Sequence, residues 1–373
     1  MKDLRTGRRA MLRLSCCLSF LVQFALSGLA LAGPDICDAL ADTAAGTRTD
    51  LTIDVAVGDD DPDTFIPITV LKGATAGPTV LMTAGVHGYE FAPILAAARL
   101  AEELDPEELS GDVVLVRIAH VAAFEARSPY VNPYDRKNLN RSFPGDPNGS
   151  QTERVAAALS AQVMPAADFV LDVHSGDGAE WLEAFIGVYG GRLATGYAKA
   201  FNFAEAMGFP NIIRYKMETQ VQIDQGRSLN RQAVAQGAPT ILVEIGQNGG
   251  RDPAHVTAIV NGVKRGLASL DMLKDPPAQS AKVRRYFDDA EYVSVERGGV
   301  WTPVEARGRD VAVNETIGVV TNYKGERVET VKAPVGGYAL YGLAGPPVRK
   351  GESVVTIALP STRKQLLSEA ENE

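Results

Sequence analysis

Apolar and polar positions follow two rhythms along this chain, and the rhythm changes near residue 275. Residues 51–57 alternate with period two, 65–71 read as a second strand, and the acidic turn Asp59-Asp60-Asp61-Pro62-Asp63 between them predicts a hairpin. Short, nearly continuous apolar runs follow at 78–84, 112–121, 168–173 and 239–246, a pattern expected of strands buried on both faces of a parallel sheet. Helical spacing separates them at 91–104, 152–162, 197–207, 225–236 and 255–273. In the last of these, Val256, Ile259, Val260, Val263, Leu267 and Leu270 fall on one face. Residues 181–189 read as a further strand. The alternation predicts an α/β fold, with a mostly parallel sheet carrying helices on both faces.

Beyond residue 274 the pattern shifts to short strands and glycine turns. Residues 275–282 read as a linker, 283–361 as a small C-terminal all-β domain, and 362–373 as a charged tail. Residues 33–274 form the expected catalytic domain. A different element precedes it. Arg5, Arg8, Arg9 and Arg13 lead into an apolar run ending at Ala30-Leu31-Ala32, so 1–32 reads as a signal peptide cleaved before Gly33. Arg8-Arg9-Ala10-Met11-Leu12 loosely resembles a twin-arginine export signal, giving an exported, periplasmic or secreted location. The competing reading is an uncleaved membrane anchor, since the run is just long enough to span. No other stretch reads as a span, so no stable membrane insertion is expected after cleavage.

Composition narrows the chemistry. An apolar fraction of 45% and a net charge of −9 describe an ordinary globular protein with no basic stripe, which argues against nucleic acid. Cys16 and Cys17 leave with the signal, and Cys37 alone can form no internal disulfide. Any metal must therefore be held by histidine and carboxylate.

Several strands end on polar residues that a buried strand would not otherwise carry. His87 and Glu90 stand three apart at the turn after the first buried run, His174 closes another and Glu244 a third. In open α/β sheets the ligand crevice lies beyond the carboxyl ends of the strands. His87, Glu90 and His174 would then hold one Zn2+ per chain, three protein ligands being the catalytic arrangement. Glu244 would act as general base and acid toward a metal-activated water. The loop at 126–150 is long enough to be functional. It carries Asn140 and Arg141, a carboxylate-binding pair, and Arg136, expected to polarise the scissile carbonyl. Blander readings stand beside these: a structural HxxE, a buried ion pair at Glu244, turn chemistry at Asn140 and Arg141, and a solvated Arg136.

In order, the chain carries Gly85-Val86-His87-Gly88-Tyr89-Glu90, Asn138-Leu139-Asn140-Arg141-Ser142-Phe143-Pro144-Gly145, Asp172-Val173-His174-Ser175-Gly176 and Val243-Glu244-Ile245-Gly246. Together these resemble the succinylglutamate desuccinylase/aspartoacylase family, a branch of the zinc carboxypeptidase superfamily, over about residues 51–359. The resemblance implies zinc on His87, Glu90 and His174, Glu244 as base and acid, and a substrate carboxylate on Asn140 and Arg141. The chain departs from the pattern at Ile118-Ala119-His120-Val121, where Asn-Pro is expected, and Arg136 does not align with the family's carbonyl-polarising arginine. The expected function is an exported zinc hydrolase cleaving an amide of a small, carboxylate-bearing N-acyl compound. Alternatives are a metallocarboxypeptidase acting on short or cell-wall peptides and a non-catalytic carboxylate-binding protein. The oligomeric state is left open.

Overall fold

The computed structural model describes residues 35–58, 61–224, 227–278, 283–304 and 306–368. The signal-peptide reading at 1–32 and the linker centre at 279–282 lie outside the described residues. The first strands, β1 (Thr47–Val55) and β2 (Thr64–Lys72), form the expected antiparallel hairpin. Next come β3 (Thr75–Ala84), β4 (Ser110–Val116), β5 (Phe169–His174), β6 (Glu180–Leu182), β7 (Phe185–Gly190), β8 (Asn211–Lys216) and β9 (Thr240–Glu244). The C-terminal part adds β10 (Arg285–Ser294), β11 (Gly299–Pro303), β12 (Asp310–Val311), β13 (Thr316–Thr321), β14 (Arg327–Lys332), β15 (Gly337–Leu343), β16 (Pro347–Val348) and β17 (Ser353–Ser361).

Among the described residues, one mixed sheet runs β1-β2-β4-β3-β5-β9-β7-β8-β10-β17-β15-β12, with β6 pairing β15. Its centre, β4-β3-β5-β9, is parallel, as the continuous apolar runs require. Along β3, Val80 and Met82 face one layer and Leu81 the other; along β5, Leu171 and Val173 oppose Val170 in the same way. The first layer holds helices Phe91–Glu103, Tyr197–Met207 and Pro253–Ser269, and the second holds Ile36–Asp42, Gln151–Ala158 and Leu229–Ala235. Each fully buried Val, Leu or Ile contributes roughly 1.5–3 kcal/mol, so these two layers carry most of the stability.

Three local readings change. The run at 112–121 is strand only through Val116, and Val121–Ala126 is helix. The Ala119 and His120 amides donate to the Ala84 and Gly85 carbonyls at 2.8 and 3.0 Å, which folds the chain across the end of β3. The run at 181–189 is two strands: β6 pairs with β15, while β7 runs antiparallel to β9. The helix expected at 225–236 begins only at Leu229, behind the Ser228 cap. Strand β8, absent from the periodicity reading, carries β10 in parallel register, Arg285 opposite Asn211. The C-terminal strands thereby extend the main sheet, and β14-β13-β11-β16 form a separate antiparallel sheet around Trp301 and Ile317.

Candidate active site

Register brings the strand-end residues together. Strand β5 lies between β3 and β9, with Ala84 paired to Val173 and His174 paired to Glu244. Strand side chains alternate, so Asp172 and His174 share a face with Val170, and Glu244 shares it from the next strand. His87 and Glu90 reach the same place through the turn after β3. Gly85 holds φ +69°, and a Cβ on Gly88 would stand 2.1 Å from the Ala123 carbonyl carbon, so this turn packs directly on the following helix. Glu90 then sits at the N-terminus of helix Phe91–Glu103.

The Glu90 carboxylate bridges the two histidines. Its Oε1 lies 2.7 Å from His87 Nδ1 and its Oε2 lies 2.9 Å from His174 Nδ1. All three side chains are buried, and one donor atom from each lies within 4.8 Å of the others. Burial opposes the Glu90 charge, but the two imidazoles outweigh it and hold its pKa at about 2. Burial likewise opposes a charged His174, yet Asp172 and Glu90 raise it well above the usual histidine range. His174 Nε2 meets Asp172 Oδ2 at 2.8 Å, and Asp172 is itself held by the Thr83 hydroxyl (2.7 Å) and Asn230 Nδ2 (2.9 Å). This carboxylate–histidine relay orients a metal-ligating imidazole and fixes its tautomer. Two imidazoles and a carboxylate, convergent and buried, are a donor set suited to zinc.

The cluster opens into a cavity of about 530 Å³, the size of a small-molecule site. Glu244, half-buried, lines it. Desolvation pushes its carboxyl well above the usual range; His174 opposes this, while Glu90, Glu180 and Asp172 add to it. Asn140 and Arg141 line the same cavity. The Asn140 Oδ1 accepts from the Leu229 amide at 3.0 Å, tying the long loop to the helix behind β9. The amide of Asn138 also joins the cluster, its Oδ1 lying 3.3 Å from His87 Nε2 and accepting from the Asn140 amide.

The structure does not bring Arg136 to this point. It is exposed on a left-handed backbone position (φ +60°) and does not line the cavity. Arg231, from helix Leu229–Ala235, does line it. His120 is buried outside the cavity lining, 3.1 Å from Asn132 Nδ2. Because Asn132 Oδ1 accepts from the Tyr134 amide, its Nδ2 donates to the His120 ring and also to Gln151 Oε1. His120 thus braces the loop, and burial, aided by the His87 charge, pushes its pKa down to about 4.

Several site residues escaped the sequence reading. Asp172 had a signal: an acid two positions before His174 on an otherwise apolar strand. Asp177 and Glu180, beyond β5, had none. Burial, with the charges of Asp177 and Glu90, pushes Glu180 up to about 7 against the Tyr130 hydrogen bond. Arg231 and Asn230 are cavity residues only because their helix packs behind β5 and β9.

Comparison with known proteins identifies the family. Residues 76–270 match the succinylglutamate desuccinylase/aspartoacylase catalytic domain. The N-alpha-acetyl-L-2,4-diaminobutyric acid deacetylase of Halomonas elongata is 30% identical over 257 residues, covering 68% of this chain and 73% of that protein. Among solved structures, the ectoine utilization protein EutE (DoeB) from Ruegeria pomeroyi, in a product-bound form, superposes with a TM-score of 0.75 at 23% identity, covering 84% of this chain and 95% of that one. A succinylglutamate desuccinylase/aspartoacylase from Rhodobacter sphaeroides gives 0.74 at 23%, covering 84% and 96%. The two structures show the shared fold; the catalytic-domain match and the deacetylase relative show more, that the chain belongs to the succinylglutamate desuccinylase/aspartoacylase family.

Proposed function

We propose that this protein is an exported, zinc-dependent deacylase that hydrolyses the amide of small N-acyl amino acids. The observation that carries the reading is the convergence of His87, Glu90 and His174 beside Glu244 in the cavity that Asn140 and Arg141 also line. The deacetylase relative supports an N-acyl amino acid as the substrate class. Export rests on the signal-like residues 1–32.

His87, Glu90 and His174 would hold the ion. When bound, a divalent ion supplies Lewis acidity at the scissile carbonyl and makes water a stronger acid. The remaining work falls to the chain. Asp172 takes the proton side of His174 at Nε2, leaving Nδ1 facing the ion site. Glu244, at the end of β9, takes a proton on its carboxylate from the attacking water and returns it to the leaving nitrogen. Asn140 and Arg141 bind the substrate carboxylate. With Arg141 on the substrate carboxylate, Arg231 is the other guanidinium that lines the cavity, so charge developing on the carbonyl oxygen falls to it rather than to Arg136.

The test is acetate release from Nα-acetyl amino acids by the zinc-loaded protein, beside Glu244→Gln. The variant should retain zinc and lose about 10²–10⁴-fold in kcat, the usual contribution of a general acid–base group. A zinc-replete variant with full activity removes Glu244 from the mechanism. Release of C-terminal residues from peptides, without acetate release, would transfer the site to the metallocarboxypeptidase reading. Binding without hydrolysis of either substrate would favour the carboxylate-binding reading. For export, N-terminal sequencing of protein recovered outside the cytoplasm should begin at Gly33.

A further inference from the structure

One edge of the main sheet is left open in a way the other edges are not. At the far end of that sheet β12 has two residues, and β16, at one edge of the small sheet, also has two. Strand β14, at the small sheet's other edge, ends on Lys332, and its pairing with β13 is twice shifted in register. Short edges, lysines and bulges all keep an edge from pairing with another chain. Strand β1 has none of these. It runs nine residues without proline or lysine, and its register with β2 is unbroken from Thr47 to Val55. Among the described residues, no strand lies on its outer side, and residues 48–55 make no backbone hydrogen bond outside the hairpin. A row of N–H and C=O groups therefore faces outward along β1.

The side chains of β1 are complementary to a second copy of the same strand. Leu51, Ile53 and Val55 turn toward the second core layer, while Arg48, Asp50, Thr52 and Asp54 are exposed on the opposite face. When a strand pairs antiparallel with its own copy about a two-fold axis, each face stays with its like, so the axis passes through a residue. Leu51 is the midpoint of the nine, and an axis there pairs the whole strand. Arg48 then opposes Asp54 of the second copy, Asp50 opposes Thr52, and no like charges meet. An axis at Asp50 would set that carboxylate against itself, and one at Thr52 would set Asp50 against Asp54. Within one copy Asp50 is held by Arg48, Arg117 and Thr69, whereas Asp54 has no ion pair among the described residues. Arg48 commits three N–H groups to Asp50 and the Ala101 carbonyl, which leaves two of its five for a further carboxylate.

We propose that β1 is the interface of a homodimer, in which the β1 strands of two copies pair antiparallel about a two-fold axis at Leu51 and join the two main sheets into one. Leu51, half-buried at the margin of the second core layer, meets its own copy and continues that layer across the axis. The pairing is closed: each copy covers the open edge of the other and presents no further edge of this kind. Strands β2, β4 and β3 separate β1 from β5 and β9, so the interface lies apart from the cavity at their ends. The inference is independent of the deacylase reading.

The test is gel filtration with light scattering on the purified full chain over a dilution series, beside two variants. The unmodified protein should show twice the chain mass, falling to the chain mass only on dilution. Asp54→Arg sets like charges against each other at both ends of the pairing and should weaken the dimer at least about 10-fold. The exchange Arg48→Asp/Asp54→Arg opposes unlike charges again and should bring the dissociation constant back to within about 3-fold of the original. Recovery in the exchanged chain separates a charge register from a folding defect. An unmodified protein that is a monomer throughout, or that forms an assembly other than a dimer, overturns the proposal. A dimer that Asp54→Arg leaves intact also overturns it, because the copies then meet elsewhere. So does a dimer that Asp54→Arg breaks and the exchange fails to restore, because Arg48 and Asp54 then do not face each other.

Discussion

The ends of β3, β5 and β9 and the loops that face them contribute to the same cavity by different physical means. His174 and Glu244 are placed by strand pairing, opposite each other in register, with no freedom beyond a rotamer. Asn138, Asn140 and Arg141 come from a loop with little regular structure, held by side-chain bonds: Asn140 to the Leu229 amide, and Asn132 to both His120 and Gln151. The sheet therefore sets where chemistry happens, and the loop's polar ties set what is held there. A one-residue slip in β5 would turn His174 away from the site altogether, whereas a broken loop tie moves only the groups that bind substrate.

The largest effect should come from breaking the strand-end side of this comparison. His174→Ala is expected to abolish zinc binding, about one ion per chain in the unmodified protein falling to none by elemental analysis. The apo variant should also lose roughly 3 kcal/mol of stability, because buried Asp172 loses its imidazole partner and buried Glu90 keeps only one of its two, His87. Full zinc occupancy in this variant would mean that the cluster is not the metal site.

Loop substitutions sharpen the comparison on binding. Arg141→Ala should lower kcat/KM by about 10–100-fold, chiefly through KM, as loss of a charge-assisted hydrogen bond predicts. Arg136→Ala, exposed and away from the cavity, should stay within about 3-fold. Equal losses in both would restore Arg136 to the site and imply that the loop closes differently around substrate.

The smallest effect lies in the brace itself. His120 is held neutral, with its pKa at about 4 rather than 6.5. Its folded pKa is depressed, so the unfolded chain takes up the proton first. The stability it contributes is complete above 6.5 and is lost as pH falls toward 4. The slope from this one group is at most about 1 kcal/mol per pH unit. Urea unfolding at pH 7 and pH 5 should show a steeper loss for the unmodified protein than for His120→Asn. Parallel losses would show that another group carries the pH dependence.

Much of the fold was legible because periodicity reports burial directly. The apolar runs of β3, β5 and β9 and the one-sided helix Pro253–Ser269 lie where their patterns place them. Strand β8 was not, since Asn211, Arg214 and Lys216 interrupt its apolar residues. Arg214 is acceptable there because Asp288 of β10 meets its guanidinium at 2.7 and 2.9 Å, a partner 74 residues away. The split between β6 and β7 was equally hidden: neither segment differs in local pattern, and only their pairing partners separate them.

By itself, the sequence determined the α/β class, the four strand-end positions His87, Glu90, His174 and Glu244, and the family likeness those motifs carry. These are local properties, set by hydrophobic period and by polar residues where a buried strand stops. Only the tertiary structure decided that β5 lies between β3 and β9, that Asp172 supports His174, that Arg231 rather than Arg136 lines the cavity, and that Glu180 lines it with Asp177 close by. The reason is physical: strand order, helix docking and the local dielectric depend on contacts between residues far apart in the chain, and no window along the sequence contains both partners.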